Sequence, residues 1–259
     1  MDIKIFIMTH KQYWMPDDSI YIPLHVGAEG KENLGYIKDN TGHSISLKNP
    51  NFCELTGLYW VWKNEGGDYI GLVHYRRYFT RKEVRNIEKK KKQIMRASDW
   101  KKLLQNYPVI VADRRKYYIE TNRSHYNHAH CQEGLSMTEQ VIAEICPDYI
   151  PAFKKVMNRT WAHMFNMFVM RHDLCDKYCQ WLFNILFELE KRIDISSYNS
   201  YEARVYGFVS ELLLDVWLEK NQIDYREQNV SFMEKQNWLK KGSDFLLRKW
   251  IGKQIDIGR

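Results

Sequence analysis

Four short apolar runs punctuate an otherwise polar chain: Ile3 to Thr9 (IKIFIMT), Asp68 to His74 (DYIGLVH), Val109 to Asp113 (VIVAD) and Met164 to Met170 (MFNMFVM). Their length and β-branched or aromatic content predict strands. Helical signals lie between and after them. Asn51 with Glu54 three residues on has capping-box spacing, predicting a helix to Asn64 that Gly66-Gly67 terminates. Ser136 and Glu139 repeat that spacing before a helix that ends ahead of Pro147. Asp173 is placed to cap a long helix to about Arg192, with Leu182, Ile185, Leu186 and Leu189 on one face. A further helix is predicted from Glu202 to Asn221, then an extended stretch from Ile223 to Phe232. The polar segment HVGAEGKENLGYIKDNTG reads as a shaped loop, and the basic run Arg81 to Gln93 as a solvated helix or loop. Strands alternating with helices predict an α/β fold: a mostly parallel central sheet flanked by helices, in one domain with helical embellishment at its C-terminal end.

Composition narrows the partners. The 259 residues are enough for a substantial core, 44% of them are hydrophobic, and the net charge is +7 with a pI near 9.0. That balance admits a phosphorylated ligand or an anionic membrane, and no nucleic-acid motif accompanies it. Seventeen Tyr and nine Trp supply flat faces with polar edges, suited to stacking on sugars or bases as well as to cores. The five cysteines (Cys53, Cys131, Cys146, Cys175, Cys179) are odd in number and follow no secretory signal, so a reduced, cytoplasmic setting is expected. No run approaches the ~20 apolar residues of a membrane span.

The second strand ends in His74, Tyr75, Arg76 and Arg77. Ligands of open α/β sheets bind beyond the carboxyl ends of strands. Paired arginines there point to phosphate, because the guanidinium is a planar fork of donors that keeps its charge. Pairing with carboxylates on a solvated loop is the plainer reading. Ser124 to His130 holds three histidines but lacks a cysteine pair or acidic partner at zinc spacing, so a pocket-lining loop with His125 and Tyr126 as hydrogen-bonding groups is expected. His172, Cys175 and Cys179 share a helix face, where buried core cysteines are the ordinary outcome.

The pattern WKN…DYIGLVHYRR resembles the nucleotide-sugar half of GT-A glycosyltransferases, with Lys63-Asn64 at the helix end and His74-Tyr75-Arg76 where that fold carries its metal-binding Asp-x-Asp. Over nearly the whole chain, IPLHVGAEG, NFCELTGLYWVWKN, YIGLVHYRRYF, HMFNMFVM, SELLLDVWLEKN and FMEKQNW resemble a bacterial family of capsule, exopolysaccharide and O-antigen gene clusters. That family was long described as a domain of unknown function, and some of its members as galactofuranosyltransferases.

The resemblance implies residues 1–115 as a nucleotide-sugar-binding half, 116–232 as an acceptor and catalytic half, and 233–259 as a basic aromatic segment. It implies a UDP-sugar donor, with galactofuranose as the expected sugar, and a polyprenyl-diphosphate-linked glycan acceptor at the inner face of the cell membrane. Thr9 and His10 end the first strand where such folds meet the nucleotide, and His25 to Gly30 could approach it closely or form a tight loop. Lys63, Asn64, His74, Tyr75 and Asn166 are donor candidates, and His163 is a pocket candidate. A leaving diphosphate needs fixed cations or a metal. With carboxylates missing from the expected place, Arg76 and Arg77 are assigned to it and no metal or other cofactor is expected. The rival is a metal on Asp68 or Asp113. Inverting transfer needs a base, and Glu211 is the candidate, with Glu202 and Arg204 as weaker alternatives and pairing of Glu211 with Arg204 as the structural explanation. Glu54 is set aside as a helix cap. The tail, with Trp238, Leu239, Phe245, Leu246, Leu247, Trp250 and Ile251 among lysines and arginines, suggests peripheral membrane contact or a docked helix. A non-catalytic scaffold that holds phosphate or lipid in the same basic cleft is the alternative function.

Overall fold

The computed structural model describes residues 1–234. Its centre is a sheet of strands β1 (Ile3–Thr9), β2 (Tyr21–His25), β3 (Ile37–Lys38), β4 (Tyr69–His74), β5 (Arg77–Phe79), β6 (Val109–Ala112), β9 (Phe168–Arg171), β10 (Tyr225–Gln228) and β11 (Val230–Phe232). The main path runs β10-β6-β9-β4-β1-β2-β3. Six of these seven strands point the same way; β9 alone runs antiparallel to both neighbours. A ribbon of β7 (Arg115–Lys116) and β8 (Trp161–Ala162) stands apart. The predicted α/β architecture with a mostly parallel sheet is the one observed.

Nine helices flank the sheet among the described residues: α1 (Asn49–Phe52), α2 (Leu55–Asn64), α3 (Ile87–Gln93), α4 (Ala97–Leu104), α5 (Asn122–Ala129), α6 (Gln132–Ile145), α7 (Ile150–Met157), α8 (His172–Glu190) and α9 (Val205–Asn221). Strand side chains alternate between two cores, as a pleat requires. Phe6 and Met8 of β1 join Ile70 and Leu72 of β4 under α2, α8 and α9. Ile3, Ile5 and Ile7 join Val73 on the other face, against Trp100 of α4. Gly71 lies between strands, where a Cβ would come within 2.9 Å of Val169 Cγ2 and 3.0 Å of Ile5 Cγ1.

Several local expectations change. Asn51 does not cap a helix; its amide donates to the Ala203 carbonyl at 2.8 Å. Ser136 lies inside α6, bonding back to the Glu133 carbonyl, and Glu139 pairs with Arg123. Asp173 sits in the first turn of α8 and pairs with Arg171. The predicted strand from Met164 is a turn up to Met167, with Phe165 at φ 78° and Asn166 at φ 51°. The segment after β1 contains β2, which pairs along β1 from Tyr21 to His25. The aromatic tail from Trp238 to Ile251 lies outside the described residues.

Candidate active site

Because β9 runs backwards, its amino end meets the carboxyl ends of β1, β4 and β6. The β1–β4 register sets Met8 opposite His74, so the chain leaving β1 at Thr9 lies beside the chain leaving β4. The turn Phe165-Asn166 enters β9 at that same edge. It joins three groups from distant parts of the sequence. His74 Nε2 donates to the Phe165 carbonyl at 2.7 Å. The Phe165 N–H donates to the carboxylate of Glu211 on α9. Asn166 Nδ2 donates to Glu54 Oε1 at 2.8 Å and to Ser210 Oγ at 2.9 Å.

This turn is costly. Phe165, a bulky residue at positive φ, is a true outlier that costs of order 1–3 kcal/mol, whereas asparagine tolerates the left-handed region that Asn166 adopts. The Asn166 Oδ1 atom is buried and lacks a hydrogen-bond partner among the described residues, an added cost of about 1–3 kcal/mol. A buried pair lies directly upstream of the turn. Asp215 Oδ1 accepts from His163 Nδ1 at 2.5 Å and Oδ2 accepts from the His163 backbone N–H at 3.0 Å. Both residues are 1% exposed.

The cations stand on β5, on the turn before it and on β7. Arg77 stacks on Phe165 at 4.4 Å and on Phe232 at 5.3 Å, with its Nε buried and unpartnered among the described residues. Arg76 lies over the Tyr75 ring at 5.0 Å, and its NH1 reaches Glu234 Oε2 at 3.2 Å. Arg115 faces Glu211 from the β7 ribbon. Burial and the neighbouring Glu54 push the Glu211 carboxyl up to about 7, against the pull of Arg77, Arg115 and the Phe165 N–H. Burial lowers the affinity of His74 for a second proton, and Arg77 and Arg76 add to this against Glu54. His74 is therefore a neutral hydrogen-bond donor. The carboxyl edge thus holds a carboxyl with a raised proton affinity beside fixed positive charge.

One family covers this edge: the family described as "Domain of unknown function (DUF4422)" matches residues 4–222. The chain belongs to the DUF4422 family. The matched span includes Glu54, His74, Arg76, Arg77, Asn166 and Glu211, whereas β11 and Glu234 lie beyond it. A solved structure titled as WbbM, a bifunctional glycosyltransferase in its apo form, matches with TM-score 0.83 and 29% identity. The match covers 91% of this chain and 46% of that one, so this DUF4422 chain spans about half the length of that protein. No curated protein matches the chain.

Glu54, like Arg115, is a site residue that sequence reasoning missed. Its side chain makes no cap bond at the start of α2; it is held by Asn166 instead. The capping-box spacing offered a ready local explanation, and only the fold shows that the start of α2 lies at the carboxyl edge. The same geometry removes Lys63 and Asn64. They end α2, a helix of ten residues and therefore about 15 Å long, at the opposite, amino edge of the sheet. Asn64 clamps the His43 backbone through both amide atoms, and Lys63 lies 3.3 Å from the Trp62 ring centroid.

Other expected donor groups have structural tasks. Thr9 is 1% exposed and its hydroxyl donates to the Lys11 carbonyl. Tyr75 is buried under Arg76, His10 and Tyr13, a platform rather than a contact surface. His10 is exposed at the edge of that platform. Asn166, 2% exposed, uses its amide on Glu54 and Ser210 rather than on open space. His163 is buried in its pair with Asp215, and Tyr126 is buried over Gly134. His125 stacks on Tyr117 at 4.0 Å and bonds Glu120, which also holds His128. The tight-loop reading of His25 to Gly30 is the observed one. Buried Asp39 accepts from Gly27 N, Ala28 N, Ser46 Oγ and Thr56 Oγ1.

Asp68 also lies at the amino edge, where its carboxylate accepts from the Asp2 N–H at 2.7 Å. Asp113 accepts from the Val230 N–H and ties β11 to β6. His172 donates to the Gly67 carbonyl, away from the buried Cys175–Cys179 contact. Among the described residues, no three His, Cys, Asp or Glu side chains converge as metal ligands. Glu202 accepts from the Cys131 N–H, and Arg204 donates to Cys53 Sγ, so neither pairs with Glu211. No helix among the described residues is long and apolar enough to cross a membrane.

Proposed function

We propose that the chain is an inverting glycosyltransferase that moves a sugar, with galactofuranose as the expected one, from a UDP-sugar to a glycan on a lipid diphosphate carrier. The observation that carries this reading is Glu211, a half-buried carboxylate that desolvation and the neighbouring Glu54 push up to about 7 beside Arg77 and Arg115 at the carboxyl edge of the sheet. A base works best when its pKa lies near the operating pH. The named activity of the WbbM match supports the same class, and the family's gene clusters support a polysaccharide product.

In this reaction the acceptor hydroxyl gives its proton to Glu211. Its oxygen forms the new bond to the anomeric carbon as the bond from that carbon to the diphosphate oxygen breaks. The electron pair leaves with UDP, whose growing charge is met by Arg77 and Arg76. Fixed guanidinium charge held in place before the reaction stabilises a leaving phosphate without reorganisation. We propose that these arginines do so without a divalent metal. Work at the inner face of the membrane follows from the carrier-linked acceptor and is part of the same proposal.

Calorimetric titration with UDP, with and without EDTA, tests the reading. Micromolar binding that survives EDTA is expected. Binding lost with EDTA overturns the metal-free mechanism, and no binding in either case overturns the UDP donor.

A further inference from the structure

Glu54 and Glu211 come from segments more than 150 residues apart, yet both are tied to the same two-residue turn. Asn166 Nδ2 holds Glu54 at 2.8 Å and bonds Ser210, the residue before Glu211, at 2.9 Å. The Phe165 N–H holds Glu211 itself. Among the described residues the Glu54 side chain has no other hydrogen bond or ion pair. His74, fixed to the Phe165 carbonyl, feels the charge of Glu54. We propose that Glu54 is the partner carboxylate of Glu211, a positioning residue whose negative charge, held on the same turn, makes Glu211 the member of the pair that takes up and gives back a proton. This rests on the glycosyltransferase reading for its purpose, since the proton exchanged is the acceptor's.

Desolvation is the first cause that raises Glu211, and the groups around it add to or oppose that shift. Glu54 faces it from the start of α2, with the Cys53 thiol beside it. Arg77 faces it from β5, Arg115 and Tyr117 from the ribbon side, and the Phe165 N–H from the turn. The two guanidinium groups and the amide favour an ionised Glu211, and Glu54 is the neighbouring charge that opposes them. Two like charges held on one small polar hub cannot both ionise freely, and the second proton leaves at higher pH than an ordinary glutamate's.

Carbon-13 NMR of glutamate side-chain carboxyls across pH 4–9 tests the pair without donor or acceptor. The wild type should show a resonance with a midpoint near 7 that is missing in Glu211→Gln. In Glu54→Gln that midpoint should fall by about one unit or more, whereas Glu54→Asp, which keeps the charge, should leave it raised. Glu54→Ala replaces the glutamine variant if that one does not fold. An unmoved midpoint in the neutral variants, or a resonance with a midpoint near 7 that persists in Glu211→Gln, overturns the proposal. Calorimetry with UDP reports on the transferase reading separately, because this titration needs no nucleotide.

Discussion

Arg76, assigned to the donor phosphate, already holds an anion. Glu234 Oε2 lies 3.2 Å from its NH1 and Oε1 lies 3.4 Å from the Tyr13 hydroxyl. The contact is fixed by backbone: β11 pairs antiparallel with β5, and the Met233 N–H donates to the Arg76 carbonyl at 2.8 Å. A diphosphate that uses Arg76 must displace this carboxylate. The Arg76 and Glu234 side chains are 41% and 34% exposed, so water and salt screen the pair and it is worth about 0.2–1 kcal/mol. Removing the charge in Glu234→Gln should therefore tighten UDP by about 1.4- to 5-fold. Calorimetry at low ionic strength reads this directly, and the gain should shrink as salt rises. In an Arg76→Ala background the same change should do nothing. Weaker or unchanged binding in Glu234→Gln would refute competition for Arg76, and a gain that persists without Arg76 would place the effect elsewhere.

The other expectations are separable. Arg77→Ala should weaken UDP by about tenfold to a hundredfold, the worth of charge-assisted hydrogen bonds, with little change in Tm; Arg77→Lys should recover only part, because a single ammonium lacks the fork. Glu211→Gln should keep UDP binding and lose transfer, and wild-type kcat/KM should fall as pH drops below about 7, where Glu211 takes up its proton. The stability sign is the reverse: the folded state binds this proton more tightly than the unfolded chain, so the contribution of Glu211 is full below the ordinary glutamate range and is lost as pH rises through about 7. Thermal melts of wild type and Glu211→Gln across that range should converge at the acid end. Asp39→Ala leaves four donors without their buried acceptor and should cost about 3 kcal/mol or more, seen as a Tm lowered by roughly 6–12 °C; an unchanged Tm would show that water replaces the carboxylate.

How far the sequence reveals this site depends on the range of the interactions. β1, β4 and β6 were legible because each is a contiguous apolar run, and Arg76 and Arg77 because they follow such a run directly. Glu211 was legible through the order of elements. Glu54 was not, because a local capping pattern explained it and only the packed direction of α2 reveals which end faces the cleft. Lys63 and Asn64 failed for the same reason in reverse. The strand expected from Met164 failed because apolar content at Met164, Phe165 and Met167 says nothing of φ, and the left-handed turn is imposed by partners 44 to 112 residues away. β2 was hidden by its proline and by the glycine-rich segment that follows it. Arg115 sits in a run of charges without periodicity, and its place by Glu211 comes from the β7–β8 ribbon.

The reversed strand accounts for where the polar burial lies. A chain entering β9 must turn sharply at the carboxyl edge of its neighbours, and here it does so through Phe165 and Asn166 at positive φ. Asp215, His163, Asn166 and Ser210 are all 2% exposed or less, and all four serve this one turn. A hydrophobic set of the same shape would satisfy the core at lower cost. It would not hold a carbonyl toward His74, an N–H toward Glu211 and an amide toward Glu54 at once. The groups so placed come from β4, α9 and the start of α2, and local sequence does not orient them toward one another. Strain and buried polarity are thus concentrated where three elements must be held in register, the arrangement a preorganised site requires.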